Sequence, residues 1–104
     1  MGSAIAKHSI DAVSREGEAF VIEIAIGAPY PSNDETETWC CPLRFSLRTT
    51  NFDEDVLGVD SFHALCLAVA VVRKGLEDFC DTGGRLVGLE LESYGFGAGL
   101  DPQV

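Results

Sequence analysis

His63 and Cys66 stand three residues apart in a stretch with helical spacing, so their side chains share a face. Together with Cys41 they are the closest this chain comes to a zinc-ligand set, but no Cys-x-x-Cys pair accompanies them. Cys40 and Cys41 are adjacent, and in a strand adjacent side chains point to opposite faces, so the two do not serve one ion. The expectation is free cysteines acting as small hydrophobes, with no metal and no cofactor. Ser61 and His63 are two apart on the same helix and face away from each other, so they make no nucleophile–base pair. No catalytic residue is assigned.

Other residue groups invite chemistry and fail its geometry. Asp34, Glu35 and Glu37, and then Asp53, Glu54 and Asp55, lack the alternating oxygens, central glycine and closing glutamate of a calcium loop. Gly95-Phe96-Gly97-Ala98-Gly99 resembles a phosphate loop but has no helix after it to supply N-terminal amides. Arg44 and Arg48 share a strand face, and a cross-strand carboxylate, Glu23 or Glu90, is their expected partner. If the chain holds a small ligand, the expected pocket lies between sheet and helix near Trp39, Arg44 and His63.

The elements that carry these residues follow from periodicity. Residues 4–14 alternate with Ala6, His8, Ile10 and Ala12 on one side, which predicts a half-buried strand. Gly17 suits the left-handed position of a short hairpin loop. Residues 18–27 set Phe20, Ile22, Ile24 and Ile26 on one face of a second strand. A proline-rich loop over 27–36 leads to a third strand from Trp39. Pro42 there predicts an edge position or a bulge, because proline donates no ladder hydrogen bond. Residues 49–55 read as a second acidic loop.

A helix follows over 58–79, with Asp60 as its N-cap. Phe62, Leu65, Cys66, Val69, Val72, Leu76 and Phe79 form its expected core face. Asp81-Thr82-Gly83-Gly84 ends it, residues 85–93 read as a fourth, weaker strand, and residues 94–104 as a glycine-rich tail. The expected fold class is α+β: an antiparallel sheet of about four strands, in the order β-β-β-α-β, with one long helix packed on one face. Residues 1–104 are expected to form a single domain.

Composition narrows the function. The chain has 104 residues, of which 46% are hydrophobic and 23% charged, enough to fold around a core. Seventeen acidic and seven basic residues give a formal net charge of −10. Affinity for nucleic acid rests on clustered Lys and Arg, so nucleic-acid binding is disfavoured, and a basic protein partner fits the charge better. No uncharged run is long enough to span a bilayer. Lys7, His8, Asp11 and Arg15 interrupt any signal-peptide apolar region, so the expected location is cytoplasmic, with reduced thiols.

The helix raises one question. Leu67 and Val71 project away from the expected core face, with Ala64, Ala68 and Ala70 between, where a solvated helix would carry Lys or Glu. Either segment 86–100 covers this second face or a second subunit does. A homodimer through Ala64, Leu67 and Val71 is the favoured expectation.

Gly27 and Pro29, Trp39-Cys40-Cys41-Pro42-Leu43-Arg44, Gly58-Val59-Asp60-Ser61 with Ala64-Leu65, and Gly95-Phe96 together resemble a family of small uncharacterised bacterial proteins, filed as a domain of unknown function. The Trp-x-Cys-Pro and Gly-Val-Asp-Ser motifs carry most of the resemblance. It implies one intact domain over most of the chain and adds no catalytic residue. The reading reached from the sequence is a small acidic cytoplasmic interaction module, in one version an immunity- or antitoxin-like protein that masks a basic toxin. The alternative is a small-molecule-binding domain or small enzyme with a pocket between sheet and helix.

Overall fold

In the computed structural model, residues 4–33, 37–47 and 50–87 are described. The alternation over 4–14 and 18–27 becomes strands β1 (Ala4–Val13) and β2 (Ala19–Gly27), paired antiparallel with Ile10 opposite Ile22 and Val13 opposite Ala19. The turn between them closes with Gly17 N–H donating to Ser14 O at 2.9 Å and Ser14 N–H to Glu18 O at 2.8 Å. Gly17 has φ +91°, the left-handed conformation that glycine adopts without a Cβ penalty.

β3 (Tyr30–Pro31) and β4 (Trp39–Leu47) follow. β4 pairs with β2 through Ile26↔Leu43 and with β3 through Tyr30↔Cys40, one residue out of step. Neither the edge position nor the bulge expected at Pro42 is present: β4 pairs along its length, without a register shift, with β5 (Thr50–Gly58), and on its other side Pro42 faces the break between β2 and β3, where no ladder partner is asked of its nitrogen. The acidic stretch read as a loop over 49–55 is therefore mostly strand. Its pattern was masked because Glu54 interrupts the apolar positions Phe52 and Val56, and an edge strand tolerates such charge.

The helix α1 runs Ser61–Asp81. Asp60 caps it as expected, its carboxylate accepting from His63 N–H at 2.7 Å. Gly83, at φ +107°, turns the chain out of it, and Gly84 N–H donates to Phe79 O at 3.0 Å. β6 (Arg85–Leu86) then pairs with Val13 and Ala12 of β1. The remainder of the expected strand over 85–93, and the tail over 94–104, lie outside the described residues. The strand order is β6–β1–β2/β3–β4–β5, with α1 crossing from the β5 edge to the β6 edge. The fold is α+β with a helix on an antiparallel sheet, as expected, but with six strands among the described residues instead of about four.

The core lies between α1 and the face carrying Ile10, Ala12, Ile22, Ile26, Cys41, Leu43 and Phe45. The helix contributes Ala64, Ala68, Val72 and Leu76, one row at i, i+4 spacing. This corrects the expected helix face in part: Val72 and Leu76 are buried and Leu65 and Phe79 pack against the core, as expected, whereas Phe62, Cys66 and Val69 do not. Phe62 is 74% exposed, Val69 is 37% exposed and Cys66 is exposed. The true core stripe is rotated by roughly 60° from the expected one, taking 3.6 residues per turn. Small residues explain the shift. Alanines and Gly75 let the helix backbone approach the sheet, and the Phe45 ring fills the space over Gly75.

Candidate functional site

The three residues expected to share a pocket do not converge. Trp39 is half-buried on the core side of β4, where it packs against the core cluster. Arg44 lies five positions along the same strand, and this odd spacing puts it on the opposite face of the sheet. There it pairs with Asp53 at 3.4 Å, both side chains more than half exposed. That register also corrects the expected partner: Glu23 stands opposite Ser46, and Arg44 opposite Asp53 and Ala25. Arg48 and Glu90 lie outside the described residues. His63 is exposed in the first turn of α1, and its Nδ1 accepts from Val59 N–H at 3.0 Å. It secures the β5-to-helix corner.

The cysteines are likewise dispersed. Cys41 is fully buried and its thiol donates to Gly27 O at 3.6 Å, which ties β4 to the end of β2. Burial, and then the nearby Asp55 charge, pushes its thiol pKa up, the direction of an inert thiol. Cys40 is buried, Cys66 is exposed and Cys80 is half-buried. Cys66 on the outside corrects its expected place in the core. Among the described residues no group of three or more His, Cys, Asp or Glu is placed to hold a metal ion. Of the expected interface residues, Ala64 is fully buried against the sheet and so is not on an outer face; Leu67 and Val71 are half-buried on the flank of α1.

Two features emerge instead. The first is β5. Among the described residues it pairs only with β4, so its second backbone edge has no strand partner. Asp53 and Asp55 project from the outer face and Glu54 from the helix side, all exposed. Tyr30 O–H donates to the Asp55 carboxylate. That hydrogen bond, with lesser contributions from desolvation and the carboxylate charge, pushes the phenol pKa up to about 12. Ser46 O–H donates to Asn51 Oδ1 at 2.8 Å and fixes the other end of the strand pair. The acidic run itself was legible in sequence; its place on a strand edge was not. Tyr30, between two prolines, gave no signal of strand pairing.

The second is a cleft of about 620 Å³ at the C-terminal end of α1. The edge-to-face pair Phe20–Phe79, with centroids 5.6 Å apart, and Leu47 give it apolar walls. Arg15, Glu16 and Asp78 stand at its rim. It lies between sheet and helix, as expected of a ligand pocket, but at the opposite end of the helix from His63.

No helix among the described residues is long and apolar enough to cross a membrane. The profile of a family described as "Domain of unknown function (DUF6968)" matches residues 6–98. No curated protein and no solved structure matches the chain significantly.

Proposed function

The chain belongs to the DUF6968 family, a domain of unknown function, and on that premise we propose that it is a small acidic interaction module whose β5 edge receives an extended basic segment of a protein partner. The carrying observation is the coincidence of a strand edge that has no strand partner among the described residues with three consecutive exposed carboxylates. A strand edge offers main-chain donors and acceptors to an incoming extended peptide. The carboxylates at 53, 54 and 55 discourage self-pairing of two such edges and favour Lys or Arg side chains at alternate positions. The net charge of −10 adds long-range steering toward a basic surface. An immunity- or antitoxin-like role in the cytoplasm, masking a basic toxin, is one biological form this chemistry would take.

Calorimetric titration with a synthetic Lys/Arg-rich extended peptide tests the reading. Saturable binding that weakens with salt, and is lost in the Asp53→Asn/Glu54→Gln/Asp55→Asn variant, supports it. Binding that survives in that variant, or no binding at low salt, overturns it.

The cleft at Phe20 and Phe79 supports a second reading, a small-molecule site, because its volume falls within the range of roughly 300–1,000 Å³ usual for ligand pockets. It ranks second because nothing about it selects a ligand class as the net charge and the strand edge do; carboxylate occupancy does not separate the two sites, since Lys74 holds Asp78 at 3.1 Å just as Arg44 holds Asp53 at 3.4 Å and Tyr30 O–H donates to Asp55. The Ser14 hydroxyl is likewise engaged, accepting from Glu18 N–H at 3.1 Å.

A further inference from the structure

Phe62, Cys66 and Val69 form a stripe on α1 at i, i+4, i+7 spacing, all exposed, with exposed Ala70 beside it and Val59, 74% exposed, at its N-terminal end. We propose that this stripe is the seam of a homodimer in which α1 packs antiparallel against α1 of a second copy. The expected dimer thus moves to a different helix face, from Ala64, Leu67 and Val71 to Phe62, Cys66 and Val69. This does not depend on the basic-partner reading.

Charge selects the occupant. In a chain of net charge −10, two copies repel over most approaches. From Ser61 to Val72 the helix carries no Asp, Glu, Lys or Arg, so two copies can meet there without opposing carboxylates. The stripe is also self-complementary under a two-fold axis between Cys66 and Val69. Asp60 marks its N-terminal end, and Arg73, held by Glu77 at 2.9 Å, continues the same face at the other end. Antiparallel pairing sets Phe62 of each copy against Arg73 of the other, the geometry of an aromatic face under a guanidinium. It also brings Asp60 toward Arg73 and Lys74. Parallel pairing would set Asp60 on Asp60 and Arg73 on Arg73. An isologous contact of this kind closes at two subunits, and Ala70 leaves room for close approach of the axes.

Sedimentation equilibrium on the full chain, in reducing buffer, is the test. The expected result is a dimer whose association weakens by about tenfold or more in Phe62→Asp, the loss typical of a central interface anchor. Far-UV circular dichroism confirms that the variant keeps its fold, since Phe62 takes little part in the monomer core. In a Cys80→Ser background, which removes the half-buried thiol, mild oxidation with copper phenanthroline is expected to link the two copies through Cys66, and adding Cys66→Ser is expected to abolish the linked band; Cys40 and Cys41 are buried. A monomer at every concentration overturns the proposal, as does a Phe62→Asp protein that still dimerises. A dimer that fails to link through Cys66 overturns a seam on this stripe.

Discussion

Gly75→Ala sets two physical effects against each other at one atom. In a solvated helix interior the change stabilises by about 1 kcal/mol, because alanine loses less backbone entropy than glycine. Here the added methyl would lie 2.3 Å from Phe45 Cε2 and 2.9 Å from Cζ. Carbon atoms rest at about 3.5–4.0 Å, so the ring must withdraw by more than about 1 Å. Phe45 is only 4% exposed and is held between β4 and the helix, so the ring has little room to move. Overpacking of this kind costs about 1–3 kcal/mol, which outweighs the propensity gain. The expected net effect is a loss of about 1 kcal/mol, or a fall in Tm of about 5 °C for a domain of this size. Thermal and urea unfolding followed by circular dichroism measure it. Phe45→Leu in both backgrounds isolates the contact, and the double variant should be more stable than the sum of the singles by about 1 kcal/mol. If Gly75→Ala raises Tm, or shows no coupling to position 45, the close helix–sheet approach invoked for the rotated core face is wrong.

Three further outcomes are expected. Asp60→Ala removes the acceptor of His63 N–H and should cost about 1 kcal/mol in urea unfolding, with Asp60→Asn retaining most of the stability. Leu43→Ala empties a fully buried site in β4 and should cost about 2–5 kcal/mol, enough to lower the urea midpoint sharply. Ultraviolet titration, taken as the difference from Tyr30→Phe, should find Tyr30 ionising near pH 12, and Asp55→Asn should bring it down toward the ordinary value of 10.0. Because the folded-state pKa is raised, the Tyr30–Asp55 contribution to stability is intact below pH 10 and declines as pH rises toward about 12.

Strands β1, β2 and β4, the Gly17 turn and the Asp60 cap were legible because each rests on local chemistry: period-two alternation, a left-handed glycine and a carboxylate before a helix. What failed depended on partners distant in sequence. Large apolar side chains mark only part of the core face of α1, Leu65, Val72, Leu76 and Phe79; this sheet takes the helix close and so also selects Ala64, Ala68 and Gly75, which hydropathy alone does not single out. β5 reads as a loop in sequence because three carboxylates interrupt the Phe52 and Val56 positions. Arg44 and Trp39 were grouped by proximity in sequence, although strand parity sends them to opposite faces. The acidic character of 53–55 is plain in the sequence; only sheet topology reveals that these residues sit on an edge without a strand partner among the described residues, and that edge is what gives them a proposed role.

The most direct test of that role is a ¹⁵N chemical-shift titration with the Lys/Arg-rich peptide. The account predicts saturable perturbations concentrated on the amides of 50–58 and their β4 partners, fading as salt screens the carboxylates. Perturbations centred on Phe20 and Phe79, or none at low salt, would contradict it.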